Sequence, residues 1–158
     1  MRKFSFSLEA VLDYRKVLEE REQEKLQKIN QAILQAQNKL NLLRNEIDDC
    51  RLMAVGCQKG IIDIDKIRHL VAYIEKLEME VIQLTLHITQ LDKERTQQLE
   101  RVVQAKRRRE VVDKLKEKKF AHYEREAREV EQKLLDELAI VNFRHEDMQE
   151  LPGGKDNP

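Results

Sequence analysis

The residue types capable of chemistry are few in this chain, and they are scattered. His69, His87, His122 and His145 stand at spacings that do not converge on one helical turn. Cys50 and Cys57 have no histidine cluster beside them, and a structural zinc site takes about four nitrogen or sulfur ligands. Asp63 and Asp65 in "IDID" carry metal-ligating oxygens, yet acids at a helix start are explained by the positive end of the helix dipole. There is no glycine-rich phosphate loop, no G-x-S-x-G and no H-E-x-x-H. The expectation is no catalytic, cofactor-binding or metal site, hence no enzyme, with surface histidines and reduced cysteines of the kind found in the cytoplasm.

The strongest charge feature is "AKRRREVVDKLKEKKFAHY" at 105–123, eight Lys/Arg against three Asp/Glu in a chain of zero net charge. It has three readings. A solvated helix face is the commonest fate of a charge run. A protein contact would use Arg forks and Lys stems, with Phe120 and Tyr123 supplying buried area. Nucleic-acid binding fits worst, because the neighbouring "EREAREVE" is net acidic and stacking aromatics are scarce.

These residues must be carried by long helices. Charged residues are 38% of the 158, aromatics 4%, with no Trp, four Gly and two Pro. Both prolines, Pro152 and Pro158, fall at the carboxyl end, and the only internal glycines are Gly56 and Gly60. A compact domain of several elements needs more turn residues than that, while Leu, Glu, Lys, Gln, Arg and Ala favour helix. No long apolar run follows Met1, so neither a signal peptide nor a membrane span is expected.

Ser7 is a candidate N-cap, with Phe6 and Val11 placed as a hydrophobic staple. From Leu8 no strong breaker intervenes before Gly56. Ile29, Ile33, Ala36, Leu40, Leu43, Ile47, Cys50 and Ala54 step by 4 and 3, the seam of a coiled coil. "EEREQEK" at 19–25 interrupts that seam with charge. After "VGCQKGIID", Asp63 is a second N-cap candidate. Ile67, Leu70, Ile74, Leu77, Val81, Leu84, Ile88 and Leu91 then repeat the 3/4 stepping without fault. The pattern predicts an all-α fold: one antiparallel coiled-coil hairpin over 1–151, with helix 8–54, loop 55–63, a longer helix 64–150 and a disordered tail 152–158.

The arms are unequal, about 70 Å and about 130 Å at the helical rise. Leu8 is therefore expected opposite position 110 or so, leaving the rest of the second helix overhanging without an intramolecular partner. That overhang carries Val112, Leu115, Phe120, Tyr123, Val130, Leu134, Leu138, Val141 and Phe143. Apolar residues on a lone helix call for cover, from a partner or from a second copy.

The segments "FSFSLEAVLDYRKVLEEREQEKL", "LVAYIEKLEMEVIQL" and "KLKEKKFAHYEREAREVEQKLLDELA" resemble, in order and spacing over essentially the whole chain, the flagellar export protein family FliJ. The resemblance implies a stalk-like, non-enzymatic component of the flagellar type III export apparatus. It would be cytoplasmic and peripheral at the inner face of the cell membrane through its partners. Those partners would be the hexameric export ATPase, the cytoplasmic part of the export gate and export chaperones, with no nucleic acid and no cofactor. Gate contacts in the family fall on mid-hairpin residues similar to Leu43, Tyr73 and Leu77 here, while Glu46, Cys50 and Glu80 depart from that pattern. Leu43 and Leu77 are also seam positions, so internal packing is an equal reading for them. At the ATPase end the matching choice is Arg107, Arg108, Arg109, Phe120 and Tyr123. The alternative is a structural homodimeric coiled coil with no export role.

Overall fold

The computed structural model describes residues 3–57 and 59–149, with side chains up to residue 144. It holds two helices, α1 (Glu9–Gly56) and α2 (Ile64–Gln149), packed against each other, and no strand among the described residues. The tail expected to be disordered, 152–158, lies outside the described residues. By internal packing the chain forms two units. One is Asp13–Arg109; the other joins the residues up to Leu12 with those from Glu110 on.

In the Asp13–Arg109 unit, every seam position named from the 3/4 spacing on either helix is buried or half-buried. Ile33, Ala36, Leu40, Leu43, Ile47 and Cys50 of α1 are buried, as are Leu77 and Leu91 of α2. Leu43, Ile47 and Leu77 form a cluster closed by Ile74, Val81 and Leu84. The alternation of threes and fours holds one stripe of each helix toward the other, and burial of that stripe is what keeps helices of this length paired. Outside the stripe, Arg51 and Glu78 bridge the helices at 2.8 Å. Such an exposed pair contributes about 0–1 kcal/mol.

The loop ends as its residues direct. Asp63 caps α2: its carboxylate accepts from the Lys66 amide at 3.1 Å, and its carbonyl accepts from Ile67 at 3.1 Å. Gly60 sits at φ 122°, which side chains rarely adopt, whereas Gly56 is helical with open space at its missing Cβ. Gly60→Ala is therefore expected to destabilise by about 1 kcal/mol or more, and Gly56→Ala to be neutral or stabilising by up to about 1 kcal/mol. Urea midpoints read both, and equal shifts in the two variants would contradict this account of the turn.

The start of α1 differs from the expectation. The first helical carbonyl belongs to Leu8, which accepts from Leu12 at 3.0 Å, and a turn from the Glu9 amide to the Phe6 carbonyl (3.2 Å) precedes it. Leu8 rather than Ser7 is thus the N-cap. Phe6 is buried while Val11 is exposed. The Phe6 ring lies under the Lys119 amine, 5.6 Å from its centroid, so α2 covers Phe6 where the sequence pointed to a staple within α1.

In the unit that joins the residues up to Leu12 with those from Glu110 on, the pairing extends further along α2 than expected. Lys116 reaches Glu9 at 2.7 Å. Phe4 packs against Phe120 and Tyr123, with centroids at 5.1 and 5.5 Å. The stretch 111–123 therefore does have an intramolecular partner, and the unpartnered part of α2 starts later. Two things add length to the short arm: Glu9 stands at Lys116 rather than near 110, and residues 4–8, ahead of the helix, continue along α2. From Arg128 to Arg144 every described side chain is exposed, including Val130, Leu134, Leu138 and Val141 along one face.

Candidate functional site

The residues matched to gate contacts occupy one level of the Asp13–Arg109 unit but meet different fates. Leu43 and Leu77 are in the buried cluster, Leu77 with 3% of its surface exposed. Tyr73, one turn before Leu77, is exposed, and its hydroxyl donates to the Glu46 carboxylate across the helix pair. That hydrogen bond pushes the Tyr73 phenol above its ordinary pKa, because it favours the protonated form, and burial adds to the shift. Glu46 is thus the residue that holds the Tyr73 hydroxyl. Of the three, Tyr73 is the one at the surface.

Tyr73 also borders an open cavity of about 630 Å³ beside the loop, with Cys57, Asp63 and His69. The loop end exposes Leu52, Met53, Val55, Ile61, Ile62 and Ile64. Their clustering went unremarked in the sequence because they fall outside any seam.

Arg107 and Arg108 are exposed, whereas Arg109 turns into the seam, its Nε donating to Glu19 Oε2 at 2.5 Å. Phe120 and Tyr123 belong to the other unit. There they form with Phe4 a three-ring cluster, Phe120 edge-on to Phe4 at 81°, the geometry the ring quadrupoles prefer. Phe120 keeps 44% of its surface exposed, enough to serve a contact while anchored from behind. Phe4 was missed as a site residue; its signal was the F-x-F spacing ahead of the first helix.

The charged interruption at 19–25 is not a gap in the packing. Glu19 and Gln98 are buried, at 8% and 4% exposure. Gln98 Nε2 donates to the Glu22 carbonyl at 3.0 Å and to its carboxylate at 2.5 Å. Hydrogen bonds from Lys25 and then Gln98 hold the Glu22 carboxyl below its ordinary pKa, against a smaller opposing effect of burial. Glu19 and Glu22 continue the 3/4 stepping that joins Arg15 to Leu26. The seam simply changes from aliphatic to polar, and that stepping was the signal that could have found it.

His69 and His87 line different depressions, His122 approaches Glu126 at 3.4 Å, and the His145 side chain is outside the described residues. Among the described residues no group of three or more His, Cys, Asp or Glu could hold a metal ion. Both cysteines are free, Cys50 buried and Cys57 half-buried. No described helix is long and apolar enough to cross a membrane.

The fold and these surfaces define a class: a helical coiled-coil hairpin whose distinctive chemistry lies on exposed helix faces. The family model described as flagellar FliJ protein matches residues 4–147, so the chain belongs to the FliJ family. That membership makes it a flagellar export-related component. No curated protein and no solved structure matches the chain.

Proposed function

We propose that the chain is a non-enzymatic part of the flagellar type III export apparatus that binds the hexameric export ATPase and the cytoplasmic part of the export gate. In this role it promotes assembly of the ATPase ring and escorts export chaperones, reaching the inner face of the cell membrane through those partners alone. Family membership over 4–147 is the observation that carries this reading. The exposed face of α2 from 128 to 144 is in accord with it, since that face calls for cover. Arg107, Arg108 and Arg109 with Phe120 and Tyr123 are assigned to the ATPase, and Tyr73, supported by Leu43 and Leu77 beneath it, to the gate.

The test is affinity capture and ATPase turnover with the cognate export ATPase. Wild-type chain is expected to bind and to raise turnover by favouring the ring. Phe120→Ala combined with Arg107→Ala is expected to weaken capture about tenfold or more, since a desolvated aromatic and a paired arginine each contribute about 1 kcal/mol or more. Tyr73→Ala is expected to lower gate binding and leave ATPase stimulation intact. Absence of both capture and stimulation by the wild-type chain would sink the proposal. The same exposed face supports a second reading, a homodimeric structural coil. Light scattering across concentrations separates the two, because a concentration-independent monomer excludes the dimer.

A further inference from the structure

Within the Asp13–Arg109 unit, one side of the polar seam is hollowed into a groove of about 230 Å³. Its walls carry three arginines, Arg15 from α1 and Arg101 and Arg108 from α2, and Leu18 and Ala105 add apolar surface. Ala105 is half-buried between Val102 and Arg109, the preceding and following seam positions, and lines the hollow with a small side chain. One carboxylate, that of Glu22, also borders the groove, but it is engaged by Lys25 at 2.7 Å and by Gln98. Three guanidiniums against one committed carboxylate leave the groove positive. Among the described residues no salt bridge closes on the three arginines, in contrast to Arg109 on the seam, although the Arg101 charge is near enough to help hold the Glu22 carboxyl below its ordinary pKa.

Arg101 and Arg108 are seven residues apart on one helix, so their stems rise from the same face about 10.5 Å apart along its axis. Two carboxylates seven residues apart on another helix have the same repeat, and guanidinium forks take carboxylates through paired hydrogen bonds. A side chain midway between those carboxylates would meet the hollow over Leu18 and Ala105. Phosphate polymers fit less well, because Glu22 stands in the wall and no aromatic residue lines the groove for stacking.

We propose that this groove, with Arg15, Arg101 and Arg108 as its charged walls, is a docking site for an acidic α-helix of a partner protein. That helix bears two carboxylates a heptad apart with an apolar residue between them. The site shares Arg108 with the surface assigned to the ATPase but rests on the groove alone, so it can fail while ATPase binding holds, and the reverse.

The experiment titrates the full, isotope-labelled chain with a synthetic helical peptide of about three heptads, carrying Glu at seven-residue spacing around a Leu. A second peptide of identical composition has its acids regrouped off that spacing, and tripolyphosphate serves as the phosphate probe. The Nε–H resonances of Arg15, Arg101 and Arg108 are expected to shift saturably with the first peptide. Arg101→Ala is expected to weaken that binding about fivefold, and Arg15→Ala with Arg101→Ala about tenfold or more. Arg68→Ala, on an exposed site away from the groove, leaves binding unchanged. Alanine favours helix, and thermal melts of each variant confirm that folding is retained. Equal binding of the regrouped peptide, tighter binding of tripolyphosphate, or unchanged affinity in Arg101→Ala overturns the proposal. So does a dimer seen by light scattering that Arg101→Ala abolishes, which would assign the groove to a second copy.

Discussion

Leu77→Ala is expected to destabilise the chain by about 2–4 kcal/mol, lowering the urea midpoint with little change in slope. Leu77 is the most buried of the described residues of α2 and clusters with Leu43 and Ile47 from across the helix pair. Truncation removes its transfer free energy and leaves a cavity that two rigid helices cannot close. The neighbouring Tyr73→Ala, on an exposed residue, is expected to cost less than about 1 kcal/mol. This contrast bears on the surface proposed for the gate. Weaker gate binding in Leu77→Ala would be inseparable from loss of packing, whereas the same loss in Tyr73→Ala would report a contact. Leu77→Met, which keeps the volume, is expected to cost below about 1.5 kcal/mol and to retain binding. A cost under about 1 kcal/mol for Leu77→Ala would mean that the seam does not pack as described.

The polar segment of the seam gives the second large effect, and its sign depends on how the pair is changed. Glu19→Ala is expected to destabilise by about 1–3 kcal/mol, since it withdraws the carboxylate from the Arg109 guanidinium at a site largely shielded from water. The figure is set below that of a fully buried pair because the Arg109 side chain keeps 24% exposure. Glu19→Leu with Arg109→Leu is expected to match or exceed wild-type stability, because two aliphatic side chains need no compensation for lost hydration. Urea unfolding of the single and double variants tests this. A double variant less stable than Glu19→Ala would show that the charged pair is itself a net source of stability. The role left to the pair is register: the polar groups of the seam bond across the helices when Glu19 meets Arg109 and Glu22 meets Gln98.

Much of this was legible in the residues. The 3/4 spacing named the buried stripe of each arm, and Asp63 was recognisable as a cap because its carboxylate stands immediately ahead of an amphipathic run. Ser7 had the same credentials and did not cap. The chain ahead of α1 is held by Phe6 against α2, a contact between residues far apart in sequence. Phe120 and Tyr123 were readable as exposed aromatics on an overhang, but not as partners of Phe4, which lies outside both helices.

The sequence by itself determined that the chain forms two helices, which face of each turns inward, and that the second helix is the longer. Periodicity is local, and a helix reports its own buried face through its own spacing. Only the tertiary structure decided the register. Register depends on what each helix meets across the seam: Glu9 at Lys116, Glu19 at Arg109, Glu22 at Gln98. Those pairings carried the partnered stretch of α2 on to Tyr123, turned Arg109 inward while Arg107 and Arg108 stayed exposed, and opened beside Ala105 a groove that no spacing within one helix could reveal.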